Sequence, residues 1–113
     1  MKIITGKLTR QELQAISAVI FGNLVKAVVD IDKEWIAVDA ELHSDLEALL
    51  LEEGSLQKNL WGINLYPNAQ GEAFIEFDAM INLRPSHDNH SRGVDSEATR
   101  KKIVAVVEKR IDQ

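Results

Sequence analysis

One stretch constrains this fold more than any other: Val25-Lys26-Ala27-Val28-Val29-Asp30-Ile31, then Asp32-Lys33-Glu34, then Trp35-Ile36-Ala37-Val38-Asp39-Ala40. Val25, Ala27, Val29 and Ile31 alternate onto one face, and a polar tripeptide between two β-rich runs reads as a hairpin turn. Strands joined by so short a turn are antiparallel, because a parallel crossover needs a dozen residues or more. A second pair of runs follows the same plan. Leu60 to Tyr66 and Ala73 to Leu83 flank Pro67-Asn68-Ala69-Gln70-Gly71, which has the residues of a hairpin connection. In the later run Ile75, Phe77, Ala79, Ile81 and Leu83 point inward, and Glu76, Asp78, Met80, Asn82 and Arg84 outward. Trp61, Ile63 and Leu65 supply the matching inner face. The opening MKIITGKL, apolar at Ile3, Ile4 and Leu8, reads as a short first strand.

Three helices separate these strands. Thr9 with Glu12 forms a capping box, Leu8 and Leu13 can close a hydrophobic staple, and Gly22-Asn23 ends the element, giving a helix near 10–21. Ser44 with Glu47 opens a second capping box ahead of Leu46, Leu49 and Leu50, and Gly54 closes it, for a helix near 45–53. Asp95 or Ser96 caps a last helix, near 96–111, with Ile103, Val107 and Ile111 as its buried stripe. The order is β-α-β-β-α-β-β-α. One-sided strand patterning places the helices on one face of a mainly antiparallel sheet of about five strands, a two-layer α+β sandwich.

At 113 residues the chain is a single domain, 1–113, able to bury roughly two-thirds of its unfolded surface. It has no cysteine, so disulfides, thiolate metal sites and a cysteine nucleophile are all excluded. A formal charge of −5 is a poor basis for nucleic-acid binding. The N-terminus lacks an apolar leader core and no apolar run approaches about 18 residues, so a cytoplasmic, unanchored protein is expected. Charge is unevenly spread. Asp30 to Glu53 carries a local −8, and Arg84 to the end a local +2, a polarity that steers association.

Two places have the residue types for chemistry. The first is the connector before the last helix, where Arg84, Ser86, Asn89, Ser91 and Arg92 are donors beside free helix-terminal amides. A phosphate or carboxylate could be gripped there, with Arg84 and Arg92 binding bidentately. No GxxxxGK[ST] or GxGxxG occurs, and Asp95 would set a competing carboxylate at the same helix end. The second is a metal reading from Glu41, His43 and Asp45 together with His87 and His90. Imidazoles plus a carboxylate suit zinc or manganese, but no HExxH exists and the two halves would have to meet in space. Gly62 within a strand marks a bulge or a close backbone approach. Asn64 and Asn82, with Tyr66, Met80, Trp35 and Val28, would form a half-apolar outer sheet face suited to a second copy of the chain.

The segments ELHSDLEALLLEEGSLQKNLWGINLYP, Glu41 to Pro67, and MINLRPSHDNHSRGV, Met80 to Val94, resemble an uncharacterised family of small bacterial proteins. That family is known only as a domain of unknown function, and the resemblance runs nearly end to end. It implies a bacterial, cytoplasmic, single-domain protein and brings no activity, cofactor or catalytic residue with it. The residues themselves favour a binding or regulatory module with an anion-binding loop over catalysis. A metal-assisted hydrolase built on His43 and a self-associating homodimer are the alternatives, and no cofactor is expected.

Overall fold

The computed structural model describes residues 1–112. Five strands, β1 (Lys2–Ile4), β2 (Val25–Asp30), β3 (Trp35–Val38), β4 (Leu60–Leu65) and β5 (Ile75–Glu76), form one sheet in the order β1-β3-β2-β4-β5. Every neighbouring pair is antiparallel. Three helices complete an α+β fold: α1 (Arg10–Ile20), α2 (His43–Glu52) and α3 (Glu97–Arg110). The β2–β3 turn is organised by Asp30, whose Oδ1 accepts from the Asp32 and Lys33 amides at 2.9 Å. Its other oxygen accepts from the Ser55 hydroxyl at 2.6 Å, so a fully buried carboxylate keeps three donors.

The helices divide between the two faces. On one, Val25, Ala27, Val29, Ile36, Val38, Ile63 and Leu65 pack with Leu13 of α1 and with Ile103, Val106 and Val107 of α3. On the other, Val28, Ala37 and Leu60 lie under Leu46 and Leu50 of α2. Each valine, leucine and isoleucine among them contributes about 1.5–3 kcal/mol when fully buried. The expectation that all helices share one face therefore holds for α1 and α3 only. Non-alternating burial along β2, where Ala27, Val28 and Val29 are all inaccessible, is the trace of this double cover. It also removes the outer face expected to pair with a second copy. Val28 is buried, Trp35 and Tyr66 are half-buried, and only Met80 of the four is exposed.

The helix starts differ in how they are capped. Around α1 the capping box is complete: Thr9 Oγ1 accepts from the Glu12 amide at 3.0 Å and Glu12 Oε1 from the Thr9 amide at 3.1 Å. Ser96 caps α3, accepting from the Thr99 amide. The Ser44 box does not form. α2 begins at His43, with Leu42 as an N-cap that offers no side-chain bond, because starting early carries His43 onto the sheet. The long strand expected from Ala73 to Leu83 does not form. Only Ile75 and Glu76 join the sheet, between 3₁₀ turns at Gly71–Phe74 and Met80–Asn82.

The reason for that break lies on β4. Beyond β5, its outer main-chain groups are met by side chains rather than by another strand. Asn82 Oδ1 accepts from the Gly62 amide at 2.8 Å and Asn82 Nδ2 donates to the Gly62 carbonyl at 2.9 Å, as a peptide unit would. Arg84 Nη2 then donates to the Leu60 carbonyl at 2.8 Å. Gly62 is required by this approach, since a Cβ there would stand 2.5 Å from the Ala79 Cβ. The close approach expected at Gly62 is what the structure shows.

The two ends of the chain are tied together. The Leu8 amide donates to the Arg110 carbonyl at 2.7 Å and the Asp112 amide to the Leu8 carbonyl at 2.9 Å. No helix among the described residues is long and apolar enough to cross a membrane.

Candidate functional site

The connector from Arg84 to Asp95 is a closed polar network, not an open cradle. Arg84 is buried, donates to the Gln57 and Leu60 carbonyls at 2.6 and 2.8 Å, and stacks 4.3 Å from the Trp61 ring centre. Burial draws its guanidinium below the usual arginine range, and the Glu47 carboxylate partly restores it. Asn89, also buried, donates to the Asn82, Ser91 and Gly93 carbonyls and accepts from the Asp95 amide. Arg92 is ion-paired with Asp78 at 2.9 Å, and Ser86 is exposed with no role in the network.

An anion does occupy this loop, and it belongs to the chain. Asp95 accepts from the Ser91 hydroxyl at 2.5 Å and from the His90 amide at 2.7 Å. The Ser91 bond, then the His90 bond, hold its carboxyl below the ordinary aspartate range. Of the five residues expected to grip an external anion, Arg84 and Asn89 are thus spent on carbonyls and Ser91 on Asp95. Donor density was legible in the sequence; its internal acceptors were not.

The metal reading meets a similar outcome. His43 is buried and its Nε2 lies 2.8 Å from the Ile63 carbonyl, which therefore accepts the ring N–H. Burial pushes the imidazole below its usual pKa; the Ile63 bond opposes this, and Lys26 adds to it. Glu41 and Asp45 are exposed, as are His87 and His90, and His90 Nε2 lies 3.2 Å from Asp88. Among the described residues no three His, Asp or Glu side chains are grouped to hold a metal ion.

What the fold does leave open is an edge. On the β4 side, the Tyr66 amide donates to the Phe74 carbonyl at 2.9 Å, and Asn64 stands opposite Glu76. In an antiparallel ladder such positions alternate, so the N–H and C=O of Ile75, between them, point away from β4. Next to that edge runs a groove of about 830 Å³. Its floor is Ile75 and Phe77; its far wall is a single stripe of α3, with Val104 and Ala105 between Glu97, Arg100, Lys101 and Glu108. The edge ends where Gly93 comes up against the Phe77 carbonyl and the Ala79 amide donates to Arg92. The opposite face of β5 is polar: Glu76 Oε1 accepts from Asn64 Nδ2 and from the Tyr66 hydroxyl, both at 2.9 Å.

A family model described as "Protein of unknown function (DUF5674)" matches residues 2–110. The chain belongs to this family. No curated protein and no solved structure matches it. DUF5674 membership brings no assigned chemistry to the edge or the groove. Sequence reasoning missed both, because it ran β5 on to Leu83 and left α3 no partner except the core. The signal available was the half-apolar stripe Glu97, Lys101, Val104, Ala105 and Glu108, which does not belong to the buried stripe of Ile103 and Val107.

Proposed function

We propose that this protein is a non-catalytic binding module that takes an extended segment of a partner polypeptide along the outer edge of β5. The observation that carries this reading is the unpaired Ile75 main chain lying beside the apolar-floored groove against α3. Strand addition uses the two together: the edge supplies main-chain hydrogen bonds and the groove receives every second side chain. Between Glu97 and Glu108, α3 rises about 17 Å, which accommodates about five extended residues. The rest of the chain supports a rigid frame. Asn82, Arg84 and Asn89 lock the segment after β5, which leaves the Ile75 edge open over a short, defined length.

The test uses three pentapeptides, valine alternating with lysine, with glutamate or with serine, titrated against the isotope-labelled protein. At least one should shift the Ile75, Phe77 and Ala105 amide signals and slow hydrogen exchange at the Ile75 amide. Methylating the backbone nitrogens of that peptide should abolish the effect, as should Ala105→Arg, an exposed position whose new side chain fills the groove. If none of the three shifts these signals at millimolar concentration, the proposal is wrong.

A further inference from the structure

Resting on the strand-addition reading, we infer that the partner segment alternates apolar with basic residues. The two faces of β5 differ in kind, and an added strand continues both. Ile75 lies across from Leu65 and Val25 on the α1–α3 face, so a partner residue opposite it enters the groove beside Ile75 and Phe77. Glu76 lies across from Asn64 and Lys26 on the α2 face, so the next partner residue stands beside the Glu76 carboxylate. That carboxylate is exposed, and the two bonds it accepts come from neutral groups, Asn64 and Tyr66, with no cation paired to it among the described residues.

The ends of the groove are acidic as well. Three acids, Glu72, Glu97 and Glu108, line the groove against two bases, Lys101, which is paired with Glu97, and Arg100, which is turned to the Val94 and Asp95 carbonyls, so the acids are in excess by one. An alternately apolar and basic segment matches this surface, and an acidic one meets like charge on both faces. The same pattern disfavours a second copy of the chain. A two-fold pairing of β5 with β5 would bring both Glu76 carboxylates onto one face within diagonal reach of each other.

The experiment compares Lys-Val-Lys-Val-Lys with Glu-Val-Glu-Val-Glu by titration calorimetry and amide shifts, at low and at raised salt. The lysine peptide should bind at least about fivefold tighter at low salt, the size expected of one well-placed rim ion pair, with the preference shrinking as salt rises. Glu76→Gln keeps an acceptor for Asn64 and Tyr66 and so leaves the fold intact, as a thermal melt would show. It should cut that preference by about threefold to fivefold. Equal binding of the two peptides, or a preference untouched in Glu76→Gln, overturns this inference and leaves strand addition standing. Binding of neither peptide, with the serine peptide also silent, overturns strand addition itself. A dimer in solution that protects the Ile75 amide without any peptide overturns the choice of partner.

Discussion

Asn82 is the residue on which the break after β5 depends. Its carboxamide serves the buried Gly62 amide and carbonyl together and donates to Arg92 as well. Asn82→Ala leaves both Gly62 groups without partners, at about 1–3 kcal/mol for each buried unsatisfied group. Urea unfolding should therefore show a loss of about 2–6 kcal/mol, against almost none for Asn68→Ala on the exposed loop. Gly62→Ala attacks the same contact from the other side. Its methyl would meet the Ala79 Cβ at 2.5 Å and the His43 ring at 3.3 Å, so an overpacking cost of about 1–3 kcal/mol is expected. Because the two substitutions disturb one contact, the double variant should lose less than the sum of the two.

Among the elements, the two helix starts that read alike in sequence should respond differently. Thr9→Ala removes an observed cap from α1 and should cost about 1 kcal/mol in denaturant unfolding. Ser44→Ala lies inside α2, makes no capping bond and should change stability by less than about 0.5 kcal/mol. The true start of α2 carries a pH dependence instead. Burial and nearby Lys26 keep the His43 imidazole neutral, outweighing its bond to Ile63 and the pull of Asp78, so its folded pKa lies below the unfolded value. The unfolded chain then takes up the proton first as pH falls. The stabilisation is complete above the unfolded pKa, about 6.5, and is lost progressively as pH drops through it toward the folded value. Chemical denaturation of wild type and His43→Gln between neutral pH and about pH 5 should show this extra slope in wild type only.

At the scale of the whole molecule, the sequence polarity that suggested pairing between copies is partly satisfied within one. Lys109 Nζ reaches Glu34 Oε1 at 2.7 Å and Arg110 Nε donates to the Glu34 carbonyl at 2.7 Å, so the acidic middle and basic end meet inside one chain. The sheet face assigned to a second copy lies under α2. The molecule should therefore unfold as a monomer, with a melting temperature independent of protein concentration at low and high salt. A melting temperature that climbs with concentration would show a dimer linked to folding.

The sequence by itself determined the element order, the antiparallel hairpin at 25–38, the α1 capping box and the crowding at Gly62. These follow from local chemistry: period-two burial, a hydroxyl with a carboxylate three residues on, and a residue with no Cβ. Tertiary structure decided the rest. Period two in 75–83 reads as one strand, yet Ile75 and Phe77 pack on the α1–α3 face, Ile81 on the α2 face, and Leu83 is exposed while Asn82 and Arg84 are buried, because Asn82 turns in to reach Gly62. Likewise, Arg84, Ser86, Asn89, Ser91 and Arg92 read as an open anion cradle because donors are visible in a sequence and their acceptors are not. Those acceptors are mostly carbonyls, such as Gln57 and Leu60, more than twenty residues away from Arg84, and their directions exist only once the sheet has formed.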